Sequence, residues 1–243
     1  MNNGVFYRVF IASCAALCAG MSSVSAIYED AGFYAGVSAG AVYNAGSFRG
    51  EAIEIATGEV INTHDKSSTC CFGKDFGGFF GYMAHLSRSD WLAGLEFGIE
   101  KHFCKKHFST TLWDDHLGIL DAEDCQYRIK PLYTAKLHAK LGKVLEKRWF
   151  VYGLLGVDMR RTEVRMCQEI LGETYSKKSS FGVALGLGVE REINENWRLG
   201  LELVNTCYRP QVLKGYNTDG SFRINSRIRT NVTQISLRLV YNF

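Results

Sequence analysis

The residues of this 243-residue chain best suited to chemistry are its cysteines, a few histidines and a group of arginines. Beyond Cys14 and Cys18 near the start, the cysteines are Cys70, Cys71, Cys104, Cys125, Cys167 and Cys207. An even set of thiols in an oxidising compartment reads as disulfides. Cys104 and Cys125 could clamp the base of one polar segment. Cys70 and Cys71 do not easily pair with each other, so one of them is expected to reach Cys167 or Cys207. Many connectivities remain open, and spacing does not choose among them. His102, Cys104, His107, His116 and Cys125 concentrate zinc-type ligands in one segment, but no pair sits at metal-binding spacing on a defined scaffold. Disulfides with solvated histidines are the simpler reading, and no cofactor is expected. His138 and Ser236 have the residue types of an acyl hydrolase, with no local motif joining them. Arg223, Arg227 and Arg229, with Arg209 and Lys214 nearby, outweigh Asp219 and suit phosphate groups through the planar guanidinium fork.

The elements that must position these residues are strands. Glycine is abundant at 25, proline is scarce at 2, and the formal net charge is only +3. No basic run, nucleic-acid motif or phosphate-binding loop appears, so nucleic acid is not an expected partner. Side chains on a strand alternate between faces, and that alternation recurs over 32–44, 75–86, 91–100, 132–142, 149–160, 179–190, 197–206 and 231–243. The facing of 75–86 is the hardest to read, because aromatics fall on both of its faces. Elsewhere one face is Leu, Val, Ala, Phe and Trp, and the other is glycine with charges. Those charges are Glu96, Lys136, Lys140, Asp158, Arg160, Glu190, Arg198, Glu202 and Arg238. Isolated burial costs several kcal/mol per ion, so charges enclosed on an inner face must pair. Glu190 is expected beside Arg198, and Glu202 beside Arg238.

Connections alternate between long polar segments and short turns, and each short turn is followed by tryptophan, at Trp91, Trp149 and Trp197. The N-terminus reads as a secretory signal: one early positive charge, an uncharged apolar run over 9–21, then small residues ending at Ala26. That run is too short for a spanning helix, which needs about 20 residues. The expected organisation is a signal over 1–26 and one all-β domain over 27–243. Cys14 lies in a weaker lipoprotein-like box, too early in the segment to be the preferred reading.

The closing stretch, with Leu237, Leu239, Tyr241 and Phe243 on one face, resembles the final strand of bacterial outer-membrane barrels. With the turn-tryptophan repeat and eight alternating strands, the chain resembles the OmpA membrane domain, OmpX and the Opa-type surface proteins. The resemblance implies an eight-stranded antiparallel up-and-down transmembrane β-barrel in the bacterial outer membrane, with four long extracellular loops and a filled polar interior. It also implies that the C-terminal pattern is read by the barrel-assembly machinery. Lipid and lipopolysaccharide are then partners through Arg223, Arg227 and Arg229. Host-surface molecules are expected at the loops, and the role is that of a non-enzymatic structural protein, surface antigen or adhesin. Wall anchoring of the full-length OmpA kind is not implied. A narrow pore and a lipid A-modifying enzyme are the alternatives.

Overall fold

The computed structural model describes residues 32–54, 60–62, 67–86, 90–104, 106–111, 124–146, 148–168, 172–216 and 222–243, with side chains over a smaller subset. The expected signal segment lies outside them. The described chain is almost entirely strand: β1 (Gly32–Glu54), β2 (Val60–Asn62), β3 (Ser67–His85), β4 (Trp91–Phe103), β5 (Lys106–Thr111), β6 (Asp124–Leu145), β7 (Trp149–Gln168), β8 (Gly172–Glu192), β9 (Trp197–Tyr208), β10 (Gln211–Tyr216) and β11 (Phe222–Asn242). Every sequential pairing around the ring is antiparallel, and β1 pairs with β11 from Tyr34↔Asn242 to Glu54↔Phe222, which closes it. Eight long strands make the barrel. The short β2, β5 and β10 add to the ends of β1, β6 and β11.

The sequence dictates which way each strand faces. On β9 burial alternates without exception from Trp197 to Tyr208. Leu199, Leu201 and Leu203 are exposed, while Arg198, Glu202 and Thr206 are buried. The same inversion holds on every stave, with Leu185 and Leu187 about two-thirds exposed at 66% and 68%. Water would penalise such a surface by roughly 25 cal/mol per Å², and a continuous apolar belt of this extent calls for lipid as its solvent. The uncertain strand resolves with Asp75, Phe79 and Met83 inward and Phe76 and Phe80 outward.

The short turns set one level around the barrel. Trp197 pairs with Tyr241, and their rings meet edge to face at 5.0 Å. Tyr241 in turn meets Phe243 at 5.2 Å. The Asn194 side chain accepts from the backbone N–H of Asn196 at 3.1 Å and of Trp197 at 2.9 Å, tying the tryptophan to its turn. Trp91 and Trp149 begin the other two upward strands and are partly exposed, consistent with an interfacial aromatic girdle.

At the opposite end the strands run further than hydrophobic periodicity suggests. The first continues to Glu54, the second begins at Ser67, and the last begins at Phe222. Beyond the apolar belt neither face needs lipid-compatible residues, so the pattern fades, yet paired backbone still satisfies its own hydrogen bonds. Much of what reads as loop is therefore raised β-hairpin. On β6 the register shifts between Pro131 and Tyr133. A proline has no N–H to give the ladder, and bulges are where a sheet accommodates one.

Candidate functional site

Among the described residues the interior holds a dense constellation of buried charge. One layer draws a side chain from each barrel strand: Tyr34, Phe79, Glu96, Lys140, Tyr152, Glu190, Glu202 and Arg238, all buried. Arg238 is its hub. Its guanidinium grips Glu96 with two donors, at 3.0 Å and 2.5 Å. It also donates to Glu202 at 3.0 Å, sits 3.4 Å from Glu190 and stacks 3.8 Å over the Phe79 ring. Lys140 bridges Glu96 at 2.7 Å and Glu202 at 3.1 Å, and lies 4.6 Å over the Tyr152 ring. The Tyr34 hydroxyl donates to Glu96 at 3.0 Å, and that of Tyr152 to Glu202 at 2.7 Å. Arg198, on the turn side, lies 3.6 Å from Glu190 and donates to Asn242 at 2.8 Å.

Glycine makes this filling possible. A β-carbon at Gly36 would collide with the Phe79 ring, and one at Gly188 with the Tyr152 ring. Each large side chain occupies the space its neighbouring strand vacates.

A second layer lies towards the raised hairpins. Lys136 reaches Glu100 at 2.6 Å and Gln234 at 2.7 Å, and Gln234 donates to Glu100 at 3.0 Å. His138 and Asp158 meet at 2.9 Å, and Thr206 donates to the other Asp158 oxygen at 2.7 Å. Arg160 donates to Asn44 at 2.7 Å and lies 5.6 Å over Tyr208. His102 bonds Thr134 at 2.7 Å, and Asp75 stands opposite His102 on the neighbouring strand.

All nine charges singled out from the sequence face this interior. Sequence reading missed Asp75, because its strand is aromatic on both faces. It passed over Tyr34, Tyr152 and Gln234, which carry no charge to signal a network. Glu100 stood on the inner face of its strand without being assigned to the network. His138 and Ser236 are both buried, and no hydrogen bond joins them among the described residues. His138 is engaged by Asp158 through Nε2 instead.

The cysteines differ most from expectation. Cys71 is bridged to Cys104, not Cys104 to Cys125. Both lie just above the paired portion of β3 and β4, which ends at Lys74↔Phe103, so the bridge staples those adjacent strands. It also removes Cys104 from the thiol ligands of any zinc cluster. Cys207 is an exposed free thiol. Cys70 is exposed and accepts from the Tyr43 hydroxyl at 3.1 Å. Cys125 and Cys167 lie on β6 and β7, but their side chains, with those of His107 and Arg223, are outside the described set, as is His116 entirely.

Arg227 and Arg229 are not loop residues. They extend from β11 to the outside of the barrel, exposed, paired in register with Arg49 and Ser47. Lys74, Lys101, Lys130 and Arg128 are likewise exposed near the upper end of the apolar belt.

A closed antiparallel barrel with a charged interior and an apolar exterior fits one solvent, and the comparisons agree. Residues 12–243 match the family described as outer membrane protein beta-barrel domain. The chain belongs to that family. The protein is accordingly an outer-membrane barrel of the bacterial envelope. Among solved structures it is similar to the Escherichia coli outer membrane protease OmpT, at 9% identity over 91% of this chain and 99% of that one, with a TM-score of 0.51. It is also similar to OprG from Pseudomonas aeruginosa, at 16% identity over 88% and 97%, with a TM-score of 0.44. Ail of Yersinia pestis, solved with a heparin analogue, shares 11% identity over 84% and 99%, with a TM-score of 0.35. At these identities the likeness is one of fold. No curated protein matches the chain.

Proposed function

We propose that this outer-membrane barrel is a non-enzymatic surface protein, structural or adhesin-like, acting through the hairpins raised above the membrane. The observation that carries the reading is the eight-residue layer around Arg238. A lumen crossed by side chains from every strand leaves the work to the ends of the barrel. The raised β-hairpins, stapled on one side by Cys71–Cys104, present extended backbone well above the lipid. The outward-facing Arg227 and Arg229, with Lys74, Lys101, Arg128 and Lys130, stand where phosphates of the outer leaflet would lie. Guanidinium suits such groups through charge-assisted, paired hydrogen bonds. The N-terminal 1–26 segment is the signal that delivers the chain, and Tyr241 and Phe243 end the strand that the assembly machinery reads.

The test is binding of whole cells displaying the protein to host cells. Shortening the hairpins at 55–66 and 217–221 should abolish adhesion while the barrel still assembles. Adhesion unchanged by both deletions would sink the reading. Arg227→Ala with Arg229→Ala should separately weaken retention of lipopolysaccharide on the purified barrel, leaving its folding intact.

A further inference from the structure

We propose that Asp75, Glu100 and His102 form a binding site for a divalent transition-metal cation in the upper lumen. A ring nitrogen of His102 and a carboxylate oxygen from each of Asp75 and Glu100 lie within 4.8 Å of one another, and all three residues are buried. Two of them are left wanting a partner. Neither carboxylate oxygen of Asp75 makes a hydrogen bond of good geometry, the backbone N–H groups of Gly40 and of Asp75 itself being its nearest help, and Nδ1 of His102 is buried without one. Asp75 is only 5% exposed and His102 6%.

Such atoms are costly in a protein interior. A buried carboxylate without a partner is strongly unfavourable and needs a proton or a cation. The charge count shows which group is short. The lumen-facing acids are Asp75, Glu96, Glu100, Asp158, Glu190 and Glu202, against Lys136, Lys140, Arg160, Arg198 and Arg238. Glu96, Glu100, Glu190 and Glu202 each meet a lysine or arginine, and Asp158 meets His138. Among the described residues no cation is paired with Asp75.

The surroundings suit a ligand. Asp75 and His102 are direct cross-strand partners, and Glu100 sits two residues before His102 on the same inward face. The Cys71–Cys104 bridge fastens the same two strands immediately above. A β-carbon at Gly40 would lie 2.7 Å from an Asp75 oxygen, so glycine there leaves the carboxylate its room. The Thr134 contact engages Nε2 of His102. If that nitrogen carries the proton, Nδ1 offers its lone pair, the arrangement in which a metal-ligating histidine is oriented by a hydrogen bond on its far nitrogen. Two carboxylates and one imidazole are the donor types of Zn²⁺ or a neighbouring first-row ion, with Asp75 supplying the uncompensated negative charge and Glu100 shared with Lys136. A cleft lined by Asn44, Cys71, Cys104, Arg160 and Tyr208 lies at the raised end, around the same bridge.

The experiment is calorimetric titration of Zn²⁺ into the full chain, refolded in detergent, stripped with chelator and dialysed. Saturable uptake of one equivalent is expected. Asp75→Asn and His102→Gln should each weaken it by at least about tenfold, with heat-modifiable gel migration confirming that each variant is folded. The His107→Ala/His116→Ala double variant, which tests the alternative ligands in sequence, should bind as the wild type does. Absence of stoichiometric uptake, meaning that a proton alone neutralises Asp75, would overturn the proposal. So would wild-type affinity in the folded Asp75→Asn and His102→Gln variants, or loss of binding in the His107/His116 variant.

Discussion

At the scale of single residues, Arg238 decides more than any other side chain. It engages Glu96 and Glu202 directly and lies close to Glu190, three carboxylates on three strands. Arg238→Met keeps much of the stem's packing against Phe79 but strands those carboxylates with Lys140 and Arg198 alone. Removing one partner from a buried ionic cluster typically costs about 3–5 kcal/mol. Urea unfolding in lipid vesicles should show a loss of that order. Adding Glu96→Gln to Arg238→Met should recover part of it, because the uncompensated charge goes with its partner. A double variant no more stable than the single one would show that the cluster is not held by charge. The pairing of Arg238 with Glu202 is legible in sequence, since both fall on inward positions of neighbouring strands at similar depth. Its grip on Glu96 is not, because Glu96 lies 142 positions away and is reached only across the lumen. Asp75 escaped notice for a different reason. Phe79 follows it on its own parity and Phe76 and Phe80 on the other, so neither face of that strand stands out as the polar one.

At the scale of elements, the strands were readable wherever lipid imposes a two-residue period, and their ends were not. Residues 45–54 on β1 pair through backbone without a sustained alternation, and on β11 Phe222, Ile224 and Ile228 fall on the opposite parity to Ile235, Leu237 and Leu239, so neither stretch continues the pattern of the belt. The disulfide belongs to this scale too. Cys71 and Cys104 are separated by 33 residues and end up adjacent because β3 and β4 form a hairpin. Proximity in sequence favoured Cys125 instead, but Cys125 lies on β6, two elements further on. Closing a loop of this length stabilises a fold by about 2–4 kcal/mol, mainly by restricting the unfolded chain. Cys71→Ser and Cys104→Ser should therefore lower the urea midpoint equally, and together no more than either alone. Cys207→Ser, at an exposed free thiol, should leave it unchanged. If the two bridge variants added, each cysteine would be acting separately and the staple would not exist.

At the scale of the whole molecule, the question is whether the barrel conducts. Eight strands enclose a bore only wide enough for side chains, so conductance depends on whether those side chains leave a water path. Here each strand supplies one group to a single layer, and the rings of Phe79 and Tyr152 fill the space left by Gly36 and Gly188. The aromatic rings close the gaps between the ion pairs, and Arg238 and Lys140 pack over them. Removing charge alone should not open a path, since the rings remain. Removing both rings should. In planar bilayers the wild type is expected to give no steady unitary steps at neutral pH. The Phe79→Ala/Tyr152→Ala variant, checked for heat-modifiable migration, is expected to give small, discrete steps. Steps of equal size in both proteins would mean that ions bypass this layer, and the surface-protein reading would then yield to a narrow pore. A silent wild type beside a conducting variant would identify these eight side chains as the plug and count against the narrow-pore alternative.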